Sequence, residues 1–305
     1  MNGGRMNGSK PPVRYGRKRG RGNKVRLSIV ITAAAVIAGV ILFLIVGNSL
    51  NSKVTGGNSG TRRTTTTSDA RPHVPSIKAY PVTPGGAVAD EIAAAAGFGA
   101  DSISFSVKDG SGNAVYSSEI LRKLGRQSDS GSKTELDDLV SAARGKYISA
   151  FLVVSAFSET DEGLRSVLLA IDAALACEVV AGGADDVVIC APNIVADNYK
   201  EIIRLAEQIK NINPDATVGF AIGSGLRDAE NSAVIVDELR GAFDFLALDL
   251  TGAPDAAAVS AGADKLLYDI LRYDMRILLP KSDAGTLNAM IAVLSSSGIE
   301  NWQVI

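Results

Sequence analysis

The chain has 305 residues, with 31 Lys and Arg, 33 Asp and Glu, two Cys, one His and 5% aromatic residues. The lone histidine, His73, precedes the longest patterned region, so Ser-His, Cys-His and His-ligated metal chemistry are excluded for everything after it. The near-neutral total hides a division: residues 1–26 hold nine basic residues and no acid, whereas residues 75–305 hold 18 basic and 32 acidic residues, a net charge of about −14 that disfavours nucleic acid and other polyanions as partners.

Residues 27–47, LSIVITAAAVIAGVILFLIVG, are free of charge. At about 1.5 Å per residue they are long enough for the roughly 30 Å of a hydrocarbon core. With the basic run on their N-terminal side, the positive-inside rule predicts a single-pass anchor in membrane lipid, residues 1–26 cytoplasmic and the remainder extracytoplasmic. A cleaved signal peptide is the alternative. It would have a shorter apolar core and a small-residue cleavage site, and NSLNS is a poor one. Residues 48–74 are Gly, Ser, Thr and Asn with almost nothing apolar, a composition that cannot offset chain entropy and predicts a disordered linker.

From residue 75 short β-rich runs alternate with Ala/Leu-rich amphipathic stretches. The runs are 76–83, 102–108, 147–154, 186–191, 216–222, 243–249, 275–280 and 301–305, and seven helical patterns, such as 199–210 and 264–273, lie between them. Strict alternation calls for parallel strands joined by right-handed crossovers. Eight units in about 230 residues predict an α/β fold of the (β/α)8 TIM type, with an open doubly wound sheet as the competing arrangement. The sequence ends on the eighth run, so the barrel is expected to lack its last helix.

Side-chain parity then nominates a site. In the second run Ile103, Phe105 and Val107 share one face, and Ser102, Ser104, Ser106 and Lys108 share the other, which is expected to point into the barrel. In the sixth, Phe245, Ala247 and Asp249 are expected inside, placing Asp249 at the C-terminal rim where barrel enzymes keep their chemistry. Asp109 and Asp249 are therefore the catalytic candidates. Lys108, Tyr80, Asn193 and Gln303 are the substrate-binding candidates, and Ser155 is expected to line the same mouth. An unpaired inward charge is costly, so Lys108 is expected to reach Asp249. The competing structural role for Asp109 is to hold the backbone of its own turn, Gly110-Ser111-Gly112. Further rim acids, Glu159, Asp161 and Asp283, read as helix starts or solvated charges.

No metal or cofactor site is expected. Cys177 and Cys190 lie in Ala/Val surroundings and read as small core residues, with an extracytoplasmic disulfide as the alternative. The Gly-x-Gly of AIGSGLRD (221–228) lacks the third glycine of a dinucleotide loop and reads as a tight turn.

The run ADSISFSVKDGSGNAVYSSE (100–119), preceded by KAYPVT and followed by LDDLVSAARGKYISAFLVVSAF (136–157), resembles a bacterial family of TIM-barrel proteins described as glycoside hydrolases. Val107-Lys108-Asp109, Gly112, Val115-Tyr116 and Ser118 carry the resemblance, which is good over about 76–157 and only architectural beyond. It implies a barrel of the cell envelope acting on glycans. The fourth strand departs from the pattern: where the family has acidic, aromatic and basic residues, this chain has Val188-Ile189-Cys190-Ala191-Pro192-Asn193. Glycoside hydrolysis ordinarily needs two carboxyl groups about 5–5.5 Å or about 6.5–9.5 Å apart, and Asp109 and Asp249 belong to strands on opposite sides of the ring. With one tryptophan, Trp302, few flat faces remain for sugar stacking. Two functions stay open: an anchored glycosidase-like enzyme, and a non-catalytic carbohydrate- or protein-binding scaffold barrel.

Overall fold

The computed structural model describes residues 74–84, 87–124, 136–154, 156–196 and 198–305. The basic segment 1–26, the apolar run 27–47, the linker up to residue 73 and Ser155 lie outside these residues. Among the described residues no helix is long and apolar enough to cross a membrane.

Eight strands pair in chain order: β1 (Lys78–Pro81), β2 (Ser102–Ser106), β3 (Ile148–Val153), β4 (Asp186–Cys190), β5 (Val218–Ile222), β6 (Phe245–Asp249), β7 (Arg276–Leu279) and β8 (Trp302–Val304). Each lies parallel to the next. β8 returns to β1 through Lys78 opposite Trp302 and Ala79 opposite Gln303, which closes the barrel and excludes the open sheet. Every strand falls inside the segment that the sequence pattern marks.

Helices fill the crossovers. They are α1 (Val88–Ala96), α2 (Glu119–Lys123), α3 (Leu136–Ala142), α4 (Glu162–Ala181), α5 (Lys200–Ile212), α6 (Ser224–Arg227), α7 (Ser232–Ala242), α8 (Ala256–Asp264), α9 (Leu267–Tyr273) and α10 (Ala284–Ser296). Asp and Ser start several of them: Asp161, Asp255 and Asp283 accept backbone N–H bonds at the starts of α4, α8 and α10, and Ser118 does so at α2. Each such cap contributes about 1 kcal/mol. α9 ends on Asp274 at φ 49°, in the left-handed region that a short polar side chain tolerates.

The strands separate two cores. Outward-facing Ile103, Phe105, Leu152, Ile189, Phe220 and Leu248 are at most 1% exposed and pack beneath the helices. Inward-facing Phe151, Val188, Cys190, Ala221, Ala247 and Leu278 form a second cluster with Phe245 and Ile305. Gly219 is required there, since a Cβ at that position would stand 2.3 Å from the Phe245 ring. The same parity puts Ser104, Ser149, Asp186, Arg276 and Gln303 inside, toward the N-terminal half, where they form a polar layer. Arg276 Nη2 donates to Asp186 Oδ2 at 2.8 Å, Arg276 Nη1 to Ser149 Oγ at 3.0 Å and to Gln303 Oε1 at 3.1 Å. Tyr147 donates its hydroxyl to Asp186 at 3.0 Å. Arg276 and Asp186 are fully buried, so each neutralises a charge that would be expensive alone. This layer is at the end of a barrel associated with stability.

Candidate functional site at the C-terminal rim

The loop after β2 begins on the rim but turns away from the barrel axis. β2 ends at Ser106, and Lys108 forms an isolated antiparallel bridge with Ala114. The chain thus folds back in a small hairpin, and strand parity no longer governs Lys108. Its ammonium donates to Asp172 Oδ1 in the middle of α4 and to the Val153 carbonyl at 3.4 Å. Only 10% of the Lys108 side chain and 2% of the Asp172 side chain are exposed. Burial raises the Asp172 pKa and Lys108 opposes the rise. The expected Lys108–Asp249 pair is therefore corrected: the partner is a helix acid outside the barrel, reached because the turn redirects the lysine.

Six residues further along α4, Glu178 receives the rest of the same loop. It accepts from Tyr116 Oη at 2.9 Å, Ser118 Oγ at 2.6 Å and the Glu119 amide at 2.8 Å. Tyr116 is 1% exposed, and burial followed by the Glu178 charge pushes its pKa well up. Lys108, Tyr116 and Ser118, three residues of the motif that resembles a family signature, thus strap the β2–α2 connection onto α4.

Asp109 is exposed, and its Oδ1 accepts the amides of Ser111 and Asn113, each at 2.9 Å. Gly112, at φ 81°, takes the left-handed position that this turn requires. The structural role expected of Asp109 is the one the geometry displays. The other rim acids behave alike. Glu159 accepts the Thr160 and Asp161 amides, Asp161 caps α4, and Asp283 caps α10, with a pKa held down by the Thr286 hydroxyl.

Asp249 is inside the mouth and half-buried at the end of β6. Its Oδ1 accepts Thr251 N at 3.0 Å and Thr251 Oγ1 at 2.6 Å, and Oδ2 faces the Cys190 thiol at 3.6 Å. Burial first, and the carboxylate second, push the Cys190 pKa up, so it remains a thiol and a poor nucleophile. Both cysteines are free and buried, and no disulfide joins them. Asp249 also lines a cleft of about 620 Å³ that extends toward α6 and α8, with Arg227, Thr251, Gly252, Gly262 and Lys265 on its walls. Asp228 holds both cations: it accepts from Arg227 Nε at 2.9 Å and Nη2 at 3.2 Å, and from Lys265 Nζ at 2.8 Å. The side-chain hydrogen bonds of Arg227 and Lys265 keep the Asp228 carboxyl well below the usual range.

The remaining candidates do not gather around Asp249. Tyr80 points outward, because its neighbour Ala79 is in register with inward Ser102 and Gln303, and its ring stacks on Phe98 at 5.0 Å. Gln303 does point inward, but it is 0% exposed in the polar layer below the mouth, bound to Arg276 and Ser149. Asn193 is exposed in the turn after β4. Asp109 follows β2 and Asp249 ends β6, strands four apart in the ring of eight. Among the described residues no cluster of His, Cys, Asp and Glu could hold a metal ion. Sequence reasoning missed Asp172, Glu178, Arg227 and Lys265. The first two carry a visible signal: isolated acids within the otherwise apolar LLAIDAALACEVVA of α4.

No protein-family model and no curated protein matches the chain. Solved structures do resemble it. A GH113 β-1,4-mannanase matches with 11% identity over 76% of this chain and 88% of its own, at a TM-score of 0.51. A β-mannanase from Thermomonospora fusca matches with 11% identity over 75% and 77%, at 0.45. A dihydrodipicolinate synthase from Agrobacterium tumefaciens matches with 15% identity over 75% and 69%, at 0.45. The GH113 mannanase likeness shows a shared TIM-barrel fold. At this identity it says nothing about chemistry.

Proposed function

We propose that the protein is a membrane-anchored, extracytoplasmic barrel of glycoside-hydrolase-like architecture whose rim binds and does not hydrolyse. One observation carries this reading. The carboxylate of Asp109, the acid of the motif behind the resemblance, is engaged by its own turn, and Asp249 meets Thr251 and Cys190, with no second carboxylate among its contacts in the described residues. Glycosidic cleavage asks for two carboxyl groups flanking one bond, whereas Asp249 is the one carboxylate among the described residues that line the cleft. The apolar run 27–47 with its basic flank supports the anchor, and the surplus of acid after residue 75 supports a partner that is not a polyanion.

The test uses the full chain in detergent. Incubation with envelope glycans and with β-1,4-mannan is expected to release no reducing ends. Release by the wild type that disappears in Asp249→Asn, with the melting temperature preserved, would replace this reading with the hydrolase.

A further inference from the structure

The residues that line the cleft beside Asp249 include charges of both signs. Arg227 and Lys265 share a single acid, Asp228, so this trio has a net charge of +1. The Arg227 side chain is 14% exposed, and its guanidinium is pinned through Nε and Nη2. Nη1 therefore lies on the α8 side, where a Cβ built on Gly262 would stand 3.5 Å from it. The same Cβ would stand 2.6 Å from Leu250 Cδ2, so glycine at this position lets the helix pack closely against Leu250. Asp249 also lines the cleft, with a half-buried carboxylate whose Oδ1 is oriented by Thr251 and whose Oδ2 faces Cys190. The rest of the lining is mostly small, with Gly252, Ala253, Ala258 and Ala261 beside Leu250 and Pro254, and among the described residues no aromatic ring lines the cleft.

A neutral sugar chain is poorly served by such walls, because ring stacking has no partner there. A simple anion would be attracted by Arg227 and Lys265 and repelled by Asp249. A fixed Arg fork beside a Lys suits a carboxylate, and a partly desolvated carboxylate suits an ammonium. The volume lies within the range of about 300–1,000 Å³ typical of ligand sites and exceeds the needs of one small amino acid.

We propose that this cleft binds a short zwitterionic peptide with small side chains, its carboxylate on Arg227 and Lys265 and its ammonium on Asp249. The assignment rests on the reading that the rim binds without hydrolysing, and it names the ligand class of that site.

Isothermal titration calorimetry of the full chain in detergent, with L-alanyl-L-alanine as probe, tests it. Binding is expected, weakened on the order of tenfold by N-acetylation or by C-terminal amidation of the probe, each of which removes one charge-assisted bond. Arg227→Gln and the more exposed Lys265→Gln should each weaken the parent dipeptide while reducing the penalty of amidation. Asp249→Asn should remove the penalty of N-acetylation and leave that of amidation. Absence of binding by the wild type, or binding that ignores either modification, overturns the zwitterion assignment. If that failure comes without glycan hydrolysis, the non-hydrolytic reading stands; if it comes with Asp249-dependent hydrolysis, both fall.

Discussion

Lys108, at the start of the loop after β2, is ion-paired with Asp172 at the centre of α4, and both side chains are almost completely withdrawn from solvent. Desolvating two charges is recovered only if they meet each other, and removing one partner leaves the other stranded. The Lys-Asp dipeptide that looks like a catalytic pair in the sequence therefore divides its work. Lys108 fastens the loop to a helix through a different acid, and Asp109 shapes the turn that aims Lys108 there. Glu178 completes the strap by accepting from Tyr116, Ser118 and the first amide of α2.

The strap makes a prediction at high pH. Tyr116 and Tyr147 both have raised pKa values, chiefly through burial and next through Glu178 and Asp186. Each stays protonated in the fold at pH values where the unfolded chain, near 10, has begun to lose that proton. Their stabilising contribution is complete below about pH 10 and is lost as pH rises beyond it. Thermal melting from pH 8 to 11 should show a steep alkaline fall, and Tyr116→Phe with Tyr147→Phe should flatten it while lowering stability at neutral pH. An unchanged alkaline slope in that double variant would contradict the assignment.

The interior polar layer predicts the most severe single substitution. Arg276→Met leaves Asp186 buried with only Tyr147 and Ser149 as donors, at a cost of about 3–5 kcal/mol. In a domain of this size each kcal/mol lowers the melting temperature by about 2–4 °C. Replacing Asp186 by Asn in the same chain should recover part of the loss. A melting temperature unaffected by Arg276→Met would show that the layer is not the buried ion pair described here.

Both thiols should be inert in the folded chain. Cys177 is buried in α4 with its pKa pushed up to about 12, and Cys190 is held as a thiol inside the barrel. A thiol-reactive chromophore is expected to find no fast-reacting group in the native protein and both cysteines after denaturation without reductant. Recovery of neither thiol under denaturing conditions would indicate the disulfide instead.

The anchor is testable by extraction. The reading of 27–47 as a span predicts that the protein stays in membranes through alkaline carbonate washing. A shortened soluble chain beginning near residue 50 would indicate a cleaved signal.

The barrel was legible in the sequence because alternation imposes two periods that few other folds share. All eight strands lie within the expected runs, and parity assigned Phe105 and Leu248 outward and Ala247 and Asp249 inward, as they are found. Parity failed at Lys108 because it was extended two residues past the end of β2, into a turn where side chains no longer alternate. It failed at Tyr80 because β1 is short and its face is set by pairing with β2 and β8, which composition does not reveal. Gln303 was placed on the correct face but at the wrong depth, since depth depends on barrel stagger. The partners Asp172 and Glu178 were hidden by distance along the chain, 64 residues from Lys108 and 62 from Tyr116, although a lone acid in an apolar helix announces a buried partner somewhere.

The central claim, that the Lys108 motif is a packing device and not a catalytic one, is tested most directly by a double-mutant cycle on Lys108 and Asp172 followed by thermal and denaturant unfolding. Lys108→Met and Asp172→Leu should each destabilise by roughly 3–5 kcal/mol, and the double variant should lose less than their sum by a coupling of about 0.5–3 kcal/mol. Additive losses, or a Lys108→Met chain that melts like the wild type while losing a measurable glycan-cleaving activity, would contradict the account.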